Sequence, residues 1–89
     1  MASYRPITTE IAAPTSSGAA TTVSSASRVR VVNTTTSAHL LTVLDSEDNV
    51  VGTMTLTGSE VHTLSKRDSD KVFAANAGVR LTSITFPVL

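Results

Sequence analysis

The sequence predicts an all-β fold: a small antiparallel β-sandwich of jelly-roll or immunoglobulin-like type, with about seven strands and an extended N-terminal arm. Three observations predict it. Apolar and polar residues alternate with period two in several short runs, as in Val50, Met54 and Leu56 against Val51, Thr53, Thr55 and Thr57, the pattern of strands with one buried face. Turn residues interrupt those runs about every eight to twelve residues, the spacing of a sandwich or small barrel. Threonine is the third signal: 15 of the 89 residues are Thr, whose branched Cβ packs well on a pleated surface. No window carries apolar residues at helical spacing over three turns.

Residues 1–27 form the expected arm and residues 28–89 the sandwich domain. Pro6 and Pro14 rule out a central strand or a continuous helix in the arm. Tyr4 to Ile11 is suited to pairing at a sheet edge, Pro14 to Gly18 to a turn, and Ala20 to Ser24 to a short strand. A frayed polar tail is the alternative, against which Tyr4, Ile7 and Ile11 stand as apolar anchors.

Arg28 to Asn33 alternates sharply, with Val29 and Val31 inward, and Asn33 to Ser37 is a polar turn. His39 to Leu44 has apolar residues on both parities, which predicts a strand covered on both faces or one whose outer face meets another subunit. After the acidic loop Asp45 to Asn49, the stretch Asn49 to Leu64 reads as a β-hairpin turning at Thr57-Gly58-Ser59, with Gly58 supplying positive φ. A charged loop, Ser65 to Asp70, leads to a strand at Lys71 to Ala75, and Asn76-Ala77-Gly78 turns the chain again. In the last segment Val79 and Leu81 share one parity while Ile84, Phe86 and Val88 share the other, so a β-bulge near Thr82-Ser83 is expected. Pro87 closes the strand.

Composition narrows the function. A chain of 89 residues with only three aromatics, Tyr4, Phe73 and Phe86, builds a thin aliphatic core in which each fully buried side chain contributes about 1.5–3 kcal/mol, so support from a partner subunit is expected. The absence of cysteine removes disulfides and thiolate chemistry. A net charge of zero leaves no electrostatic footprint for nucleic acid. No run approaches the roughly 20 apolar residues of a membrane span, and Met1 to Ala20 lacks the features of a secretory signal, so a soluble product made in the cytosol is expected, with no membrane partner.

Candidate chemistry is sparse. His39 and His62 are the only histidines and nothing marks a third metal ligand beside them. The loop Asp45, Glu47, Asp48, Asn49 fails the calcium-loop spacing. No Gly-x-Ser-x-Gly elbow occurs. The expectation is a protein without catalytic residues, cofactor or metal. Sugar recognition would call for exposed Trp or Tyr, of which the chain has Tyr4 alone, while Lys66 and Arg67 are compensated by Asp68 and Asp70.

In three stretches the chain resembles the small β-rich virion proteins of tailed bacteriophages, cyanophage-like in character. These are Val29-Arg30-Val31-Val32-Asn33-Thr34-Thr35-Thr36-Ser37-Ala38-His39-Leu40, then Gly52 to Leu56 with Gly58-Ser59-Glu60, and then Lys66 to Asp70 with Lys71-Val72-Phe73-Ala74. The resemblance spans Arg28 to Phe86 and carries no catalytic or ligand residues. It implies a structural role in the virion, as a capsid decoration or cement protein that clamps neighbouring major capsid subunits. A small neck or tail component, or a carbohydrate-binding or adhesin module, are the alternatives. Partners would be the major capsid protein or other virion subunits and further copies of the chain, expected as a homotrimer. Partner-binding residues would be Tyr4, Ile7 and Ile11 from the arm and Leu40, Leu44 and Val51 from an outer face.

Overall fold

The computed structural model describes residues 4–85. Each short alternating run forms a strand, because its apolar side chains all reach the same side only when the backbone is extended. In chain order these are β1 (Arg5–Pro6), β2 (Ile11–Ala12), a 3-10 turn at Ser17–Ala19, β3 (Arg28–Asn33), β4 (His39–Leu44), β5 (Val50–Leu56), β6 (Val61–Ser65), β7 (Lys71–Ala74) and β8 (Val79–Thr85). Two antiparallel sheets result. The larger has the order β1-β8-β3-β6, with β2 also on β8, and the smaller has the order β5-β4-β7. The all-β sandwich expected from the sequence is present, and strands β3 to β8 lie where the alternation places them. The expectations for Phe86, Pro87 and Val88 lie outside the described residues.

The core sits between the sheets. Val29 and Val31 from β3 and Val79 and Leu81 from β8 meet Leu41, Leu56, Val72 and Ala74 from the smaller sheet, all fully buried. At about 1.5–3 kcal/mol for each large aliphatic, this layer dominates the stability.

Asn49 to Leu64 is not a hairpin. β5 pairs with β4 through Leu41↔Met54 and Thr42↔Thr53, whereas β6 pairs with β3 through Val29↔Leu64 and Val31↔His62. The turn at Thr57–Glu60 therefore carries the chain from one sheet to the other. Tight two-residue hairpins of the I′ type need positive φ at both central residues, and here only Ser59 has it, at 64°, while no glycine does. Gly58 is required for a different reason: a Cβ on it would stand 2.5 Å from the carbonyl oxygen of Thr36. Period-two alternation cannot tell the two arrangements apart, since Leu56 and Leu64 face a common core either way.

Asn33, at the end of β3, holds this crossing together. It is fully buried, and its Nδ2 donates to the carbonyls of Ser37, Leu56 and Thr57 at 2.8, 3.3 and 3.0 Å. Its Oδ1 accepts from the Thr35 N–H at 3.0 Å and the Thr35 hydroxyl at 2.7 Å.

The first 27 residues, expected to reach outward as an arm, are laid on this chain's own sandwich over their described part. Ile11↔Leu81 and Arg5↔Thr85 register them against β8, the Ala74 N–H donates to the Pro14 carbonyl at 2.9 Å, and Thr21 bridges Val72 in the smaller sheet. Ala13, Val23 and Ala26 join the core. The short strand expected at Ala20 to Ser24 reduces to that one bridge, because Val23, Ser24 and Ser25 follow with φ of 54°, 58° and 57°. This left-handed turn swings the chain back to β3. It is unfavourable by about 1–2 kcal/mol per residue, which the burial of Val23, at about 1.5–3 kcal/mol, offsets in part.

β8 needs no bulge. Its register on β3 runs unbroken from Asn33↔Val79 to Val29↔Ser83. Its apolar residues occupy both parities because Leu81 faces the inter-sheet core while Ile84, 3% exposed, and Thr82 form the floor of an outer cleft. The bulge lies instead between β4 and β5, where Val43 pairs with Gly52 and Leu44 with Val50, leaving Val51 without a partner on β4.

Candidate functional site

Two of the concavities among the described residues lie on opposite sides of the sandwich. On the side covered by the N-terminal segment, Tyr4, Pro6, Thr8 and Glu10 project beside Arg30, Thr82 and Ile84 to enclose a cleft of about 410 Å³. These residues converge because alternate positions of an extended segment share a face of the sheet. The Arg30 Nε donates to the Tyr4 hydroxyl at 3.0 Å, and its Nη1 stands 3.8 Å from a Glu10 oxygen. The two charges compensate, so the cleft presents hydroxyls and a ring without a strong field.

The opposite side is open. β5 ends the smaller sheet and β6 ends the larger, and between them a groove of about 240 Å³ reaches Leu41, Val43, Met54 and Leu64, with Lys66 and Asp70 among the residues lining it. Met54 and Leu64 pack on the core while only partly buried. Burial holds the Lys66 ammonium below its usual range, with Asp70 and Asp68 opposing that shift. Val50 and Val51 on β5 are 64% and 59% exposed, and Val61 on β6 is 52% exposed. In water such a margin leaves both apolar area and strand edges uncovered.

A carboxylate secures each end of β5. Asp45 accepts from the N–H groups of Glu47 and Asn49, both at 2.9 Å, and the Asn49 bond chiefly lowers its pKa. Glu60 accepts from the Thr57 N–H at 2.9 Å and its hydroxyl at 3.1 Å, which lowers its pKa in the same way. Asp48 pairs with Lys71. The acidic loop therefore uses its oxygens on itself and on β7, and no group of His, Asp or Glu that could hold a metal ion occurs among the described residues. His39 lies in the smaller sheet and His62 in the larger, so the two do not share a sheet.

The six residues expected to bind partners are not brought together. Tyr4, Ile7 and Ile11 are exposed on the covered side, while Leu40 and Val51 are exposed on the smaller sheet. Leu44 is a correction: beside the bulge it is 2% exposed and offers no surface. The groove residues Met54 and Leu64 escape sequence reading because alternation marks them as core without revealing that β5 and β6 are outer strands. No known protein family, curated protein or solved structure matches this chain.

Proposed function

We propose that this protein is a non-enzymatic virion structural subunit of tailed-phage type, most directly a capsid decoration protein that clamps neighbouring major capsid subunits. The observation that carries the reading is the open margin. Exposed valines, a partly covered aliphatic groove and two strand edges form a surface suited to another protein's backbone and side chains, and the likeness of Arg28 to Phe86 to small virion proteins supports it. Clamping then works through sheet edges rather than a free arm, since residues 4–27 are engaged within the chain. Repetition over a lattice multiplies weak contacts. Purified protein mixed with undecorated, expanded capsids should occupy regular lattice positions in electron micrographs; binding confined to necks or tails would move the subunit there, and no binding to particles would end the reading.

A second reading, a carbohydrate-binding or adhesin module, is favoured by one feature, the cleft that sets the Tyr4 ring beside Arg30, Glu10 and Thr8. Saturable binding on a glycan array, lost in Tyr4→Ala, would establish it.

A further inference from the structure

We propose that the β5 edge pairs antiparallel with the β5 edge of a second copy, giving a two-fold dimer in place of the homotrimer expected from the sequence. Of the four sheet margins, two are covered from within: β8 by β1 and β2, and β7 by contacts from Pro14 and Thr21. Among the described residues, β5 and β6 are the strands that end their sheets without such cover. Exposed edges are ordinarily protected by charge, proline or brevity. β5 has none of these. It is seven residues long, and from Asn49 through Ser59 the chain carries no charged residue and no proline. The bulge at Val51 breaks the regular register at the start of β5, so regular strand meets regular strand across the two-fold over Gly52 to Met54 of each copy.

A second copy suits this edge for two reasons. A neutral strand meets its own image without like-charge repulsion, and at seven residues it offers a longer edge than the five of β6. Centring the two-fold on Thr53 also sets Met54 of each copy opposite Gly52 of the other, where an added Cβ would meet nothing within 4 Å. The bulky side chain thus enters open space, and the even-numbered face of the second β5 covers the groove over Met54 and Leu64. The interface is isologous, each residue i meeting the residue equally far beyond Thr53.

The test uses the full chain. Wild type in solution should show a molar mass twice 9.3 kDa. Thr53→Lys and Thr53→Glu place like charges face to face on the two-fold axis and should each weaken dimerisation by at least about 100-fold, with unchanged far-ultraviolet circular dichroism. Mixing the two variants should restore a dimer containing one of each. Val61→Lys on β6 should leave the dimer intact. A monomeric wild type at about 100 μM, well above the Kd of a stable dimer, overturns the pairing. So do Lys and Glu variants that dimerise like wild type, or a mixture that stays monomeric. The dimer takes the β5 edge and leaves the β6 edge to the capsid, so capsid binding is scored separately for wild type and the Thr53 variants, and failure here and failure of the virion reading are distinguishable.

Discussion

On one margin of the sandwich the N-terminal segment supplies β1 and β2 to β8 and bonds from Pro14 and Thr21 to β7; on the opposite margin β5 and β6 end their sheets with an aliphatic groove between them. Both margins face the same physical problem, unpaired strand edges beside a thin core. The covered side solves it with this chain's own residues and accepts an unfavourable left-handed turn at Val23–Ser25 to bring the chain back. The open side leaves the problem to a partner. The comparison teaches that the arm-like segment is the part least free to grip a neighbour, although its composition reads as the most detachable part of the chain.

The largest effect should come from removing the cover. Deleting residues 1–19 takes away β1, β2 and the core residue Ala13, and a domain of this size has only about 4–13 kcal/mol in hand. We expect loss of cooperative thermal unfolding; a truncated protein melting near the wild-type temperature would break the comparison by making the segment dispensable. Within β5 the contrast sharpens. Leu56→Ala should cost about 2–5 kcal/mol by chemical denaturation, because Leu56 is fully buried, while Val51→Ala on the exposed bulge should stay within about 0.5 kcal/mol. Equal effects would mean that the open margin is not open.

Acid should loosen the open margin selectively. The pKa values of Asp45 and Glu60 are lowered by hydrogen bonds made in the folded protein, so the stability they contribute is present above their unfolded values and is lost as the pH falls through the lowered folded ones. Between about pH 5 and pH 2.5, spanning the ordinary carboxylate range, thermal melts should show falling stability, and the pair Asp45→Asn and Glu60→Gln should flatten that profile. An unchanged profile would remove both carboxylates from any role in holding β5. The smallest effect belongs to the turn on the covered side: Ser24→Gly should raise stability by about 0.5–1 kcal/mol, since glycine tolerates positive φ, and a loss would show that the turn is not strained.

Part of the candidate site was legible and part was not. The uncharged run from Asn49 to Ser59 is visible in the sequence, as are the exposed valines, yet neither means much until β5 is known to be an outer strand. Leu44 and Val51 show the limit from the other side: both belong to runs with apolar residues on two parities, and only the tertiary structure decides that one is buried and the other exposed. Asn33 read as the start of a polar turn, and nothing local announces that its amide serves carbonyls more than twenty positions away.

The sequence by itself determined the all-β class and the places of β3 to β8, because alternation and turn residues act over a few neighbouring positions. Tertiary structure alone decided which strands share a sheet, that the leading segment closes one margin, and that the other stays open. The reason lies in the Thr57–Glu60 crossing, whose course depends on Asn33 and on the approach of Gly58 to the Thr36 backbone. Contacts of that range leave no periodic trace in the chain.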